Sequence, residues 1–353
     1  MKILFRVDAS SLIGGGHLVR CLSLATELKA MGEQCEFVVC HEAISAIPWF
    51  SDTGFPITFI PNHLLGNALA EANFIGDASG QCDIVIVDHY ERGADFEEAA
   101  RSWAGMVVAI EDIAARPHKA DVVIDPTFGR RAEEYGVAAP TAKVLAGEDY
   151  TLLRRVFADT RKTAIERRVR QQGNIRRELI AFGASDPENY TGHALMQLME
   201  LPEIGIDVLI GSLHPQAAKF ASLADSSGGR LRLWQDREDI DGLMLECDLA
   251  IGGAGGQSWE RCCLGLPCLL VEMAPNQRDV ATAITQNGAG ILLGADIEEM
   301  SLHLMPVVLD LLKSPQKVMN LSNAAFKLCD GQGAQRAAKA LLQLHQRSLL
   351  KGN

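Results

Sequence analysis

The sequence predicts an α/β protein made of two Rossmann-like domains. Two observations carry this. Short runs rich in Val, Ile and Leu alternate with helix-length stretches of apolar periodicity, and the series restarts once along the 353 residues. The runs are apolar without a polar alternate, as expected of parallel strands covered on both faces by helices. A chain of this length also suits two domains of ordinary size.

The first series opens with residues 3–7, and a helical stretch follows over 18–31. Runs at 36–39, 57–60, 84–87, 107–110 and 122–124 continue it. The second series comprises 179–182, 208–210, 231–234, 249–251, 269–271 and 291–293, again with helical stretches between them. Strands alternating with helices imply parallel pairing through right-handed crossovers. No sequence repeat relates the halves. Residues 330–350 read as one helix; in two-lobed folds such a helix can return to brace the first lobe, which the sequence itself does not show. The expected domains are 1–165, 175–328 and a terminal helix over 329–353. The joining segment is basic: Arg154, Arg155, Arg161, Lys162, Arg167, Arg168, Arg170, Arg176 and Arg177 face only Asp159 and Glu166. It is either a solvated helical linker touching acidic surface or an electrostatic lip for an anionic substrate.

Composition narrows the function. Hydrophobic residues at 48% and charged residues at 22% supply two cores and exclude disorder, collagen and coiled coil. Lys plus Arg total 33 against 45 Asp plus Glu, a net charge of −12, so neither nucleic acid nor an anionic membrane is expected as a partner. No apolar run approaches the ~18 residues of a membrane span. Arg6 and Asp8 fall where a signal peptide needs its apolar core, so a cytoplasmic protein is expected. The nine cysteines are odd in number and lack C-x-x-C spacing, which reads as small buried hydrophobes in a reducing compartment.

Open α/β sheets bind ligands beyond the carboxyl ends of their strands, so the loops there matter most. The first runs from Asp8 through Gly14, Gly15 and Gly16 to His17 and Arg20. Its glycines permit close backbone approach, and a helix start offers free N–H groups to an anion. His17 is either an incidental early-helix residue or, kept neutral by the helix N-terminus, a general base. The loop matches neither G-x-G-x-x-G nor the NTPase phosphate loop, and no G-x-S-x-G elbow occurs. Asp88, His89 and Tyr90 follow one strand and Glu111 and Asp112 the next; each set caps a turn or lines a site. In the second half, Asp186 and Pro187 read as a helix cap following Gly183. Gly252, Gly253, Gly255 and Gly256 precede Gln257, Ser258, Trp259 and Glu260. Four glycines are costly in regular structure, about 0.5–1 kcal/mol each, and close approach of a diphosphate justifies them. Glu260 is placed to accept bonds from ribose hydroxyls, and Asn276 and Gln277 present amides. Asp239 and Asp241 match the D-x-D of metal-dependent sugar transferases but read as a helix start, so no metal or cofactor is expected.

At these residues the sequence resembles the UDP-2,4-diacetamido-2,4,6-trideoxy-β-L-altropyranose hydrolases of pseudaminic acid biosynthesis. The matching stretches are Arg6 to Ser10, Gly14 to Leu22, Asp88 to Tyr90, Gly147 to Arg154, Phe182 to Pro187, Trp259 to Pro267, Asn276-Gln277 and Asp330 to Ala334, in order along the chain. One departure is visible: the family's Ser/Thr-rich run before Trp-Glu is reduced here to Ser258. The resemblance implies a GT-B type fold, with two domains facing a cleft, a C-terminal lobe for UDP and an N-terminal lobe for the sugar and the attacking water. It implies His17 as the base, Tyr90 and Asn276 at active-site positions and Glu260 at a nucleotide-binding position. Gly14, Gly15, Gly16, Arg20, Asp88, Gly183, Gly253, Gly255, Gly256, Ser258 and Gln277 complete the expected site. The partners are then a UDP-sugar substrate and UDP, with metal-independent inversion at C1. Two competing readings share the glycine loops: a glycosyltransferase of the same fold, and a non-catalytic UDP-sugar sensor.

Overall fold

The computed structural model describes residues 1–10, 15–183, 186–211 and 214–351, apart from the side chains of Asn276 and Lys351. It divides into two compact units, Met1–Arg155 with Gly331–Asn353, and Val156–Asp330.

The first unit contains β1 (Lys2–Val7), α1 (Gly16–Ala30), β2 (Gln34–Val39), α2 (Glu42–Ala46), β3 (Ile57–Phe59), α3 (Ala68–Ser79), β4 (Cys82–Asp88), α4 (Ala94–Ala100), β5 (Ala104–Ile110), β6 (Val122–Asp125) and β7 (Lys143–Ala146). Its seven strands run β3-β2-β1-β4-β5-β6-β7, and every pair is parallel. The absence of alternation has a direct cause. Ile3, Phe5 and Val7 pack on one face with Leu18, Leu24 and Leu28 of α1. Leu4 packs on the other with Ile75 of α3 and Phe96 of α4. Only β7 escaped the sequence reading: it has four residues, begins on an exposed lysine and lies at the sheet edge, where short charged strands block further pairing.

The second unit contains α5 (Arg155–Gln171), β8 (Arg177–Ala181), α6 (Tyr190–Leu198), β9 (Gly205–Ile210), α7 (Ala217–Ser226), β10 (Leu231–Gln235), α8 (Ile240–Glu246), β11 (Leu249–Gly253), α9 (Gln257–Cys263), β12 (Cys268–Val271), α10 (Arg278–Gln286), β13 (Gly290–Gly294), α11 (Ile297–Leu312) and α12 (Pro315–Leu328). Its strand order is β10-β9-β8-β11-β12-β13. In both sheets the strand order reverses between the first and fourth strands of the unit, the switch point where such sheets bind ligands.

The terminal helix α13 (Gly333–Lys351) belongs to the first unit. Ala334, Ala337, Ala338 and Leu341 form a helical stripe that joins the core of α1. A Cβ on Gly333 would stand 2.3 Å from the Thr151 carbonyl oxygen, so the approach requires glycine.

The division at Arg155 precedes the boundary expected at 165 because α5 packs with the second unit. Phe157, Ala164 and Arg168 are buried there. The basic segment is divided: Arg155, Lys162, Arg170 and Arg176 are exposed, Arg167 and Arg177 pair with Asp248 and Asp207, and Arg161, Arg167 and Arg168 of α5 reach backbone carbonyls. Arg161 donates to the carbonyls of Cys263, Phe326 and Cys329. Arg168 reaches those of Met244, Cys247 and Leu264, and Arg167 those of Glu246 and Cys247. These carbonyls lie at or just past the C-terminal ends of α8, α9 and α12, where unpaired acceptors and the helix dipole favour a cation.

Candidate active site

In the first unit the helix α1 starts at Gly16 with Gly15 as N-cap, which sets His17 and Arg20 in its first turn and a half. The β4 strand ends on Asp88, beside β1. His17 Nδ1 lies 2.6 Å from Asp88 Oδ1. A carboxylate has no proton to give, so Nδ1–H donates, and in the neutral ring Nε2 carries the lone pair; Arg20 Nη2, bound to the same carboxylate, also lies 3.0 Å from Nδ1. No described residue meets Nε2. Arg20 clasps the same carboxylate through Nε and Nη2, each at 2.6 Å. Burial alone would raise the Asp88 pKa, but Arg20 and then His17 outweigh it and hold the carboxyl well below the usual range. Tyr90 sets its ring edge-on to the His17 ring at 4.9 Å. Its hydroxyl donates to Asp112 Oδ2 at 3.0 Å, and Arg20 Nη1 reaches the same oxygen at 3.4 Å. His17, Asp88, Arg20, Asp112 and Tyr90 thus form a closed ring of contacts.

Asp8 and His89 stand beside this ring with structural partners. Asp8 receives Arg6 at 2.8 Å, the Cys40 N–H at 2.7 Å and His89 Nε2 at 3.1 Å. Burial opposes its ionisation, yet His89 and Arg6 keep its pKa well below the carboxylate range. His89 Nδ1 accepts the Glu91 N–H, so its proton sits on Nε2.

In the second unit the glycine loop separates into two kinds of position. A Cβ on Gly252 would lie 2.1 Å from the Ala181 carbonyl oxygen, and one on Gly253 2.7 Å from Met273 Sδ. Strand packing demands glycine at 252, where the neighbour is backbone, and at 253 a side chain would displace Met273. A Cβ on Gly255 would have 3.7 Å to its nearest neighbour, and one on Gly256 nothing within 4 Å. Gly256 also has ordinary helical dihedrals, φ −55° and ψ −33°. Nothing inside the unit requires glycine at these two sites. Gln277 Oε1 accepts the N–H groups of Ala254 and Met273, each at 3.1 Å, which points its amide nitrogen toward Gly255. Arg261, buried under the loop, donates to Gly253 O at 2.7 Å and Ser258 Oγ at 3.3 Å. Its Nη1 is buried without a partner among the described residues.

Several expectations are corrected here. Ser258 is fully buried, and its hydroxyl turns inward to Gly253 O at 3.4 Å. It shapes the loop rather than facing a ligand. The helix after Gly183 starts at Tyr190 with Asn189 as N-cap, not at Pro187. Asp186 still caps it from upstream by accepting the N–H groups of Tyr190 and Thr191. Gly183 has φ +99°, a conformation that needs glycine. Glu260 is buried in the first turn of α9. Gly14 and the side chain of Asn276 lie outside the described residues; the Asn276 backbone forms part of the 3-10 turn Pro275–Gln277. Asp239 caps α8 by accepting the Gly242 N–H at 3.0 Å, in line with its reading as a helix start. All nine cysteines are free and buried. Asp112 belongs to the ring of contacts around His17, although the sequence marks it only as a strand-end residue and not as a member of the expected site. Its only signal there was its place after β5.

No protein-family model matches the chain. It is 26% identical over 290 residues to the UDP-2,4-diacetamido-2,4,6-trideoxy-β-L-altropyranose hydrolase of Campylobacter jejuni, covering 82% of this chain and 97% of that protein. The structure resembles MurG of Acinetobacter baumannii with a TM-score of 0.68 at 16% identity, over 97% of this chain and 100% of that one. It also resembles the UDP-GlcNAc 2-epimerase of Neisseria meningitidis, solved bound to UDP-GlcNAc, with a TM-score of 0.64 at 15% identity over 97% and 100% of the two chains. The chain has the GT-B fold. Among the described residues no helix is long and apolar enough to cross a membrane.

Proposed function

We propose that the chain hydrolyses a UDP-sugar at its anomeric carbon, with UDP-2,4-diacetamido-2,4,6-trideoxy-β-L-altropyranose or a close analogue as substrate, in pseudaminic acid biosynthesis. The observation that carries this is the dyad in the GT-B fold's first unit: Asp88 fixes the His17 proton on Nδ1 and leaves Nε2 as a base. The similarity to the Campylobacter hydrolase, along nearly all of that protein, supports it. Water oxygen attacks C1 as Nε2 takes its proton, the bond from C1 to the diphosphate oxygen breaks, and UDP leaves with that electron pair. Attack opposite the leaving group inverts C1. Glycoside hydrolysis ordinarily needs a second carboxyl to protonate the leaving oxygen, but UDP leaves readily as an anion. Asp8 and Asp88 are poor alternative bases, since their lone pairs are taken by guanidinium, imidazole and amide donors.

The diphosphate is assigned to the loop at Gly255 and Gly256, whose missing side chains leave the backbone open. Arg261 beneath the loop adds positive potential, and the Gln277 amide and Glu260 are assigned to the nucleotide. The GT-B neighbours favour one second reading, transfer of the sugar to an acceptor other than water. Mass spectrometry decides between them. The protein is incubated without acceptor with the diacetamido UDP-sugar and with UDP-GlcNAc. Free sugar and UDP from the first substrate are expected. Intact substrate that turns over only when an acceptor is added would establish the transferase instead.

A further inference from the structure

We propose that Asp112 is a positioning residue of the sugar-binding half-site, acting through Tyr90 and Arg20. This rests on the hydrolase reading above. Asp112 Oδ2 holds the Tyr90 hydroxyl at 3.0 Å and Arg20 Nη1 at 3.4 Å. Its Oδ1 has no partner among the described residues, and the side chain is 31% exposed. With its proton engaged by Asp112, the phenol offers only lone pairs to a ligand. Burial and then the Asp112 charge push the Tyr90 pKa upward, so the phenol keeps that proton. Tyr90 Oη and Asp112 Oδ1 therefore stand as paired acceptors, suited to N–H or O–H donors on the substituents of a sugar such as an acylamino sugar. Asp112 also ties down the far end of Arg20, whose other N–H groups orient Asp88 and thereby His17.

The loop that carries Asp112 is fixed from behind. Glu111 Oε1 accepts the N–H groups of Asp112 and Ile113, each at 2.9 Å. Glu111 Oε2 receives Arg116 Nη1 at 2.7 Å and lies 3.0 Å from His118 Nε2. His118 Nδ1 is 2.7 Å from Glu97. Arg130 donates to the Asp112 carbonyl at 3.1 Å. A strand-end loop anchored at this many points is preorganised, as a positioning group needs to be.

The test is a double-variant cycle of Asp112→Ala and Tyr90→Phe, with UDP-2,4-diacetamido-2,4,6-trideoxy-β-L-altropyranose as substrate and UDP as binding probe. Each single variant is expected to lower kcat/KM about 10–100-fold, the worth of one hydrogen bond to a charged group. The double variant should be no worse than the poorer single one, and UDP affinity should stay within about twofold. Asp112→Asn keeps an acceptor for the phenol but removes the charge and puts an N–H donor at the Oδ1 position, so it should recover part of the loss and keep the parent's Tm. Losses that multiply, an Asp112→Ala rate equal to the parent's, or an Asn variant as poor as Ala with a lowered Tm would each overturn the proposal. A parent enzyme that releases no sugar marks the failure of the hydrolase reading instead. The cycle is then read from calorimetric affinities for the same UDP-sugar relative to UDP: coupling between Asp112 and Tyr90 supports the proposal, and its absence overturns it.

Discussion

His17 and Asp88 are 71 residues apart in sequence, and their 2.6 Å contact decides which imidazole nitrogen is available. A helix-start histidine alone would present either tautomer. In the proposed hydrolysis Nε2 is the base, because Asp88 engages Nδ1, and Asp88 stabilises the imidazolium formed as water loses its proton. Arg20 tempers that stabilisation by neutralising Asp88. His17→Asn is therefore expected to lower kcat by about 10²–10⁴-fold, the usual worth of general-base catalysis. UDP affinity should hardly change, since the nucleotide is assigned to the glycine loop. Steady-state UDP release and calorimetry check both halves. Hydrolysis by the variant at near-parent rate would place the base elsewhere.

At the scale of elements, the glycine loop between β11 and α9 performs two separate tasks. Gly252 and Gly253 let strands and side chains close up, whereas Gly255 and Gly256 leave backbone uncovered. The difference is measurable. Gly252→Ala pushes a Cβ against the Ala181 backbone and should cost about 1–3 kcal/mol or more of stability. Gly256→Ala should leave Tm within a few degrees and weaken UDP binding several-fold or more, because only a ligand meets the new methyl. Thermal melts paired with UDP calorimetry separate the two. Equal melting losses for both variants would mean that the whole loop is glycine-rich for packing alone.

At the scale of the whole molecule, each unit carries a buried group whose proton links stability to pH. In the second unit Glu178 is fully buried, and neither carboxyl oxygen has a partner among the described residues. Burial, then the charge of Asp248, pushes its pKa up to about 8. An acid that binds its proton more tightly when folded costs nothing below about pH 4.5, where both states are protonated. Stability then falls as the pH rises toward about 8. In the first unit His118 lies between Glu111 and Glu97. Burial disfavours its charge, but the two carboxylates outweigh burial and raise its pKa to about 9. Its stabilisation is complete below about pH 6.5 and is lost as the pH climbs through 9. Glu178→Gln should therefore raise Tm by roughly 3–10 °C more at pH 8 than at pH 4.5. Melting curves at the two pH values check this; an equal change at both would show that Glu178 is ionised in the folded state.

The sequence by itself determined the α/β class, the two series of parallel strands and the loops at their carboxyl ends. These follow from local physics: unbroken apolar runs mark strands covered on both faces, and glycine clusters mark backbone that must bend or be approached. It also placed His17 at a helix start and Asp239 at a cap, both short-range matters. Tertiary structure decided the rest. The edge strand β7 offers only Val144 and Leu145 between a lysine and an alanine, too little apolar run to register, and its existence depends on pairing with β6. Arg161, Arg167 and Arg168 of α5 became partners for helix ends because three C-termini converge on that helix, which no local pattern reveals. Ser258 faces inward because its hydroxyl donates to Gly253 O and accepts from Arg261. Asp112, one residue after a glutamate that merely holds the loop, became part of the site only because β1, β4 and β5 lie side by side and bring Arg20, Tyr90 and Asp112 to one sheet end. Such long-range meetings are set by strand order, and strand order is fixed by packing of the whole sheet rather than by any segment of the chain.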